Sequence, residues 1–164
     1  MDRKKTIIWD DPKLNQLGAS NSISGLDYLT AIRDGNISPP PVAMLIGYKI
    51  SEVQKGYVVF ELNPAEYHLN PYAVVHGGIL STLLDTAMGS SVLSTLERGF
   101  IYSTVDIKVD FIRPANCSTG ILRCEARPIN IGKRIAISEG YLKDLNNKLY
   151  AYGTNTCLIN KVKV

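Results

Sequence analysis

An α+β fold, with one antiparallel sheet wrapped around a single buried helix, is predicted by three features of the 164-residue chain. The first is a long apolar segment, Gly77 to Leu96. Apolar residues fall there at 80, 83, 84, 87 and 88, then at 92, 93 and 96, which is helical spacing. The second is a change to period two between Ser103 and Phe111, where Val105, Ile107, Val109 and Phe111 alternate with Asp106, Lys108 and Asp110. The third is a pair of turns, "NIGK" (Asn130 to Lys133) and "LNNK" (Leu145 to Lys148), which cut the rest of the chain into strand-length runs.

Taken in order, residues 1 to about 24 have weak periodicity and read as an arm. Ser24 followed by Asp27 reads as a helix N-terminus, with Leu26, Leu29 and Ile32 on one face. Gly35 suits the helix stop, and "SPPP" (Ser38 to Pro41) excludes helix beyond it. Two strands follow, Leu45 to Val53 and Tyr57 to Leu62, around the turn Gln54 to Gly56. The helix over Gly77 to Leu96 is rich in small residues, so neighbours can approach it from every side, and it is expected in the core. Pro114 ends the strand over Ser103 to Phe111. Thr119 to Pro128, Ile135 to Asp144 and Lys148 to Ile159 complete the sheet. The expected organisation is an arm with a short helix over 1–40 and one domain over 41–164.

Composition narrows the function class. Hydrophobic residues make up 45% and charged residues 20%, the balance of a globular protein. The net charge of +3 is too mild, and its charges too interspersed, for a nucleic-acid partner. No signal-peptide core and no membrane-length apolar run is seen. Cys117, Cys124 and Cys157 form no CxxC pair, and only His68 and His76 could join them, so no metal site is expected. Three reduced thiols in a cytoplasmic protein is the expectation.

Between His76 and Glu97 the only charged residue is Asp85. Ser81, Thr82, Asp85, Gly89 and Ser90 read equally as a solvated stripe or as a functional face. A five-turn exposed face would normally carry several Lys or Glu residues, and this one has none. The N–H groups at a helix start are unpartnered and positively polarised, and Gly77 and Gly78 leave them open to a substrate oxygen. Asp85 lies about 12 Å further along by helical rise, so two copies packed antiparallel are needed to bring both groups to one atom. His76 fits a local hydrogen bond at the helix start.

The spacing Asn70, then His76-Gly77-Gly78, then Asp85 resembles the hotdog-fold acyl-CoA thioesterases of the phenylacetate-degradation (PaaI-like) type. The resemblance continues through "STVDIKVDFIRPA", "GKRIAISEG" and "KLYAYGTNT" and covers roughly residues 40 to 160. It implies a hotdog fold and a homodimer or homotetramer with active sites between subunits. It implies hydrolysis of acyl-CoA with no cofactor beyond the coenzyme A of substrate and product, and no nucleic-acid or membrane partner. By the same resemblance, Asp85 is general base or nucleophile, the Gly77 amide holds the oxyanion, Asn70 positions thioester or water, and His76 supports that loop. Thr104, with Ser103 as its neighbouring alternative, orients water beside the acid. Gly78 belongs to the same substrate-binding turn. Arg113, Lys133 and Arg134 would meet the nucleotide phosphates, or are ordinary strand-end charges. Leu80, Leu84, Met88 and Tyr72 are the expected acyl-pocket residues. Thioester hydrolysis needs an activated water and a donor for the developing charge, and a carboxylate in an apolar seam is a stronger base than one in water. A hotdog dehydratase would need a His-Phe-Pro-Gly loop, where this chain has His68-Leu69-Asn70-Pro71. A non-catalytic acyl-CoA sensor on the same scaffold is the other reading.

Overall fold

The computed structural model describes residues 2–14 and 23–162. The first helix, α1 (Gly25–Arg33), starts at Ser24, whose hydroxyl oxygen accepts the Asp27 N–H at 3.2 Å and donates to the Asp27 carboxylate at 2.7 Å. A short helix, α2 (Pro41–Ile46), follows; then β1 (Lys49–Gln54), β2 (Tyr57–Leu62) and a loop with a single 3₁₀ turn at Glu66–His68. The long helix α3 (Gly77–Leu93) precedes β3 (Phe100–Phe111), β4 (Leu122–Ile131), β5 (Ile135–Asp144) and β6 (Leu149–Lys161). All pairings are antiparallel, in the order β1-β2-β4-β5-β6-β3. The 15–22 part of the expected arm lies outside the described residues.

The expected strand over Leu45 to Val53 is corrected. Pro41 to Ile46 is helical, and the strand begins at Lys49. Proline lacks an N–H, but the first turn of a helix has no use for one, so Pro41 starts α2 instead of forbidding it. Gly47, at φ 90°, then closes that helix in the left-handed region that glycine tolerates. The long helix stops at Leu93 rather than Leu96, and β3 starts at Phe100, three residues before the alternation becomes visible.

The helix α3 is the core of the molecule, and Leu83, Leu84, Ala87, Met88 and Val92 are fully enclosed. Gly140 and Gly153 face one another on β5 and β6. A Cβ on Gly140 would stand 3.0 Å from Met88 Cγ, and one on Gly153 would stand 3.2 Å from Met88 Cε. The sheet is bare at this pair, and the Met88 side chain fills the space. Several small polar residues of α3 bond back onto the helix itself. Thr82 Oγ1 donates to the Gly78 carbonyl at 2.8 Å, and Ser91 Oγ to the Met88 carbonyl at 2.7 Å. Of the stripe, Gly89 and Ser90 are buried, while Ser81, Thr82 and Asp85 keep part of their surface in solvent.

The N-terminal region is docked on this core. The Gly25 N–H donates to the Leu96 carbonyl at 3.0 Å, and a Cβ on Gly25 would sit 1.9 Å from the Leu93 carbonyl oxygen. Lys5 Nζ donates to the Leu45 carbonyl at 2.7 Å and lies 3.7 Å from the centre of the Tyr67 ring. Arg3 pairs with Glu66 on the same side.

One irregularity decides which face of β3 meets the helix. The register skips Val105, so that Thr104 pairs with Cys157 and Asp106 with Thr156. A bulge adds one residue and reverses the alternation beyond it. Without it, Ser103 would share the inner face with Ile107, Val109 and Phe111. With it, Thr104 does.

Candidate active site

Asp85 occupies the middle of α3, half-buried, on the side turned toward β3. The Thr104 hydroxyl donates to its Oδ1 at 2.9 Å. Thr104 is the only hydrogen-bond partner of the Asp85 side chain among the described residues. Burial, and then the Asp85 charge, push the phenol of Tyr102 upward. Burial likewise raises Tyr48, with Asp85 adding to it against a Thr86 hydrogen bond. The Cys157 thiol is pushed up to about 11 by burial, with Asp85 contributing.

Asp85 also stands in the wall of a cavity of about 370 Å³. Its other walls come from α1, α2, β1, β2 and the Tyr102 segment of β3. Tyr102 lies against α3 at Gly89, where a Cβ would be 2.3 Å from the phenol oxygen. Only a residue without a side chain lets that ring reach the helix.

At the start of α3 the donors are unequally free. The His76 Nδ1 accepts the Gly78 N–H at 2.9 Å, and the Ile79 and Leu80 N–H groups donate to the His76 carbonyl. The Gly77 N–H makes no hydrogen bond among the described residues. His76 therefore holds the turn by the local hydrogen bond that its position predicts, and leaves one open donor, at Gly77. The Phe111 ring lies over Gly77, 3.0 Å from where a Cβ would be. Asn70 shapes the loop before this turn: its Oδ1 accepts the Tyr72 N–H at 2.9 Å and the Val74 N–H at 3.4 Å.

The remaining candidates divide. Ser103 is exposed on the outer face and does not meet Asp85. Arg113 lines a second depression of about 280 Å³ together with Gly77, Leu80 and Phe111, and its guanidinium donates to the Leu149 carbonyl. Lys133 and Arg134 are exposed in the β4–β5 turn. Leu84 and Met88 are fully buried beneath the sheet and do not line the cavity beside Asp85, and Tyr72 is 86% exposed. The reason is the helix's own geometry. Asp85 and Ser90 turn toward the α1–α2 side, while Leu84 and Met88 point at Gly140. The cavity lining from residues 28 to 60 escaped the sequence pattern, because a cavity wall has no periodicity of its own. Among the described residues, no three His, Cys, Asp or Glu side chains cluster as a metal site would need, and no helix is long and apolar enough to cross a membrane.

Residues 72–151 match the Thioesterase superfamily. Human acyl-coenzyme A thioesterase 13 is 32% identical over 105 residues, spanning 62% of this chain and 71% of that protein. The 1,4-dihydroxy-2-naphthoyl-CoA hydrolase of Listeria monocytogenes is 27% identical over 116 residues, 71% of this chain and 93% of that one. Among solved structures, a phenylacetic acid degradation-related protein of Ralstonia eutropha has a TM-score of 0.73 at 32% identity, covering 80% of this chain and 98% of that chain. A six-stranded antiparallel sheet packed on one buried helix, the His-Gly-Gly turn and Asp85 thus occur together in a chain that belongs to the thioesterase superfamily, as a hotdog-fold thioester hydrolase of the PaaI-like kind.

Proposed function

We propose that the protein hydrolyses an acyl-CoA thioester to the free acid and coenzyme A, at a site completed by two copies of the chain. The observation that carries this reading is Asp85, held by the Thr104 hydroxyl and the sole acid in the wall of a largely apolar cavity. Asp85 takes a proton from water, and that water attacks the thioester carbonyl. Thr104 fixes the orientation of the carboxylate. Negative charge then develops on the carbonyl oxygen and is met by an open backbone donor, the Gly77 N–H. Collapse of the tetrahedral species breaks the C–S bond, the proton held by Asp85 passes to the leaving sulfur, and coenzyme A departs as the thiol. Direct attack by Asp85, giving an anhydride that water then opens, uses the same groups.

The second copy is required by distance. Gly77 and Asp85 are eight residues apart on one helix, about 12 Å by rise, while a single carbonyl needs both within hydrogen-bond reach. Strand β3 supports the pairing. It is a 12-residue edge strand, unpaired along one side, and its inner face leaves Ile107 at 38% and Phe111 at 55% exposure. Antiparallel packing on that edge would bring the Gly77 turn of one copy toward Asp85 of the other. In this reading Arg113, which lines one depression with Gly77, meets a coenzyme A phosphate, with Lys133 and Arg134 as further cations.

A dehydratase would need a free imidazole in the preceding loop. The His68 ring is spent on the backbone: Nδ1 accepts the Ala65 N–H at 3.0 Å, and Nε2 donates to the Ile46 carbonyl at 2.7 Å.

The test is thiol release from short, long and aromatic acyl-CoAs by wild type and Asp85→Asn. Turnover that falls at least about a hundredfold in the variant supports the reading. No turnover on any member, with saturable acyl-CoA binding, replaces the hydrolase by a sensor.

A further inference from the structure

The cavity beside Asp85 is built largely by a part of the chain that the superfamily match does not cover. Twelve of its seventeen lining residues lie between Tyr28 and Phe60, ahead of the matched segment 72–151. That segment supplies Asp85, Gly77 and Thr104. The chemistry and the cavity are thus encoded in different stretches of sequence.

The lining shows what would fit. Ile32, Pro39, Pro40, Ala43, Ile50 and Leu93 give it an apolar surface. Its hydroxyls largely satisfy one another: Thr86 donates to the Tyr48 phenol at 3.4 Å, and Tyr102 is hydrogen-bonded with Ser90. The two cations at the wall are engaged as well, Arg33 with Asp34 at 2.8 Å and Lys49 with Glu61 at 3.9 Å. Asp85 alone among the acids faces the space. A polar ligand would find few unpaired partners here, whereas an apolar group attached to a carbonyl at Asp85 would find a largely apolar surface. The volume sets its size. A methylene occupies about as much space as a water molecule, roughly 30 Å³, so about 370 Å³ holds on the order of twelve such groups.

We infer that this cavity takes the acyl group and that the α1–α2 segment fixes its length: an apolar acyl group of about eight to twelve carbons, linear or bicyclic. The inference rests on the thioesterase reading. Its walls are held in place by contacts unrelated to chemistry, Gly25 against the end of α3 and Lys5 on the Leu45 carbonyl. Selectivity can therefore change by substitution in α1 and α2 while the Asp85 and Gly77 geometry stays the same.

The experiment measures kcat/KM on acetyl-, butyryl-, octanoyl-, decanoyl-, palmitoyl- and naphthoyl-CoA for wild type, Ala43→Phe and Ile32→Ala. In the wild type, each added methylene should raise kcat/KM by up to roughly fourfold, with the gain ending near twelve carbons. Ala43→Phe should move the optimum to shorter acyl groups and Ile32→Ala to longer ones. Opposite shifts cannot come from a general loss of folding. Whether naphthoyl or decanoyl is better decides between a planar and a flexible occupant. Calorimetric binding of decanoyl-CoA against free coenzyme A runs in parallel. Chain-length-dependent binding without thiol release overturns the hydrolase reading and keeps the acyl cavity. Thiol release that is as fast on acetyl as on decanoyl, that is fastest on palmitoyl, or that neither variant redirects, overturns the cavity assignment and leaves the hydrolase.

Discussion

Replacing Thr104 with Val deletes one hydroxyl and keeps the branched shape of the side chain. In the structure that hydroxyl is a donor to Asp85 Oδ1 at 2.9 Å, and no other side chain of the described residues bonds to the carboxylate. A hydrogen bond to a charged group is worth about 1.5–3 kcal/mol, and about 1.4 kcal/mol is a factor of ten in rate. Asp85 is half-buried, so water can replace part of the lost bond, and the lower end of the range applies. The expected result is a fall in kcat/KM of roughly 10- to 50-fold, measured by thiol release on the best acyl-CoA. Thr104→Ser should recover most of the rate. Ser103→Ala is the matched control. It removes a hydroxyl one residue away, on the outer face, and should leave the rate within about twofold if register alone decides which hydroxyl counts. The Tm of each variant, read by circular dichroism, separates lost catalysis from lost fold. A Thr104→Val rate within about threefold of wild type, or a Ser103→Ala loss equal to that of Thr104→Val, would refute the role assigned to the bulge.

Gly89→Ala would force a methyl to within 2.3 Å of the Tyr102 phenol; overpacking of this kind costs about 1–3 kcal/mol, visible as a Tm lower by about 2–12 °C, and Tyr102→Leu in the same chain should recover part of it. His68 is held below its ordinary 6.5 by burial, against the pull of its Ile46 hydrogen bond. The unfolded chain therefore binds this proton more readily than the folded one. Stability is fully present above about pH 6.5 and is lost as pH falls toward the folded value. His68→Gln should lower the Tm at pH 8 and flatten the wild-type decline between pH 7 and 5. Of the three thiols, Cys117 is exposed, while Cys124 and Cys157 are buried with burial raising both. A disulfide reagent at neutral pH should titrate one thiol in the native protein and three in denaturant.

The sheet and the long helix were legible because each carries its own period, 3.6 over Gly77 to Leu93 and two over Ile107 to Phe111. Asp85 stood out for a related reason, as one charge in a segment otherwise suited to burial. The hydroxyl partner was not legible to within one residue. A bulge is a property of backbone pairing, and Val105 is an ordinary strand residue with nothing to announce that the register skips it. α2 was missed because prolines were weighed as helix breakers, when the N-terminal turn is the one place that accepts them. Of the expected acyl-pocket residues, Leu84 and Met88 lie on the side of α3 that the sheet covers. The cavity lies on the other side, against residues far earlier in the chain. Which helix face meets which wall is settled by long-range docking, such as Gly25 on Leu93, and local pattern has no access to that.

The outer face of β3 carries Asp106, Lys108 and Asp110 at every second residue, with Lys108 and Asp110 already paired at 2.8 Å within the chain. Two copies joined antiparallel on this strand would read that row as a code. Centred on Lys108, the pairing sets lysine against lysine and Asp106 against Asp110, like charges directly opposite. Centred on Ile107, it sets Asp106 against Lys108 twice. Centred on Val109, it sets Lys108 against Asp110 twice. The row thus disfavours the middle alignment, by about 0.2–1 kcal/mol per like-charge pair, and favours one on either side. The favoured two differ by a slide of four residues, about 13 Å along the strand.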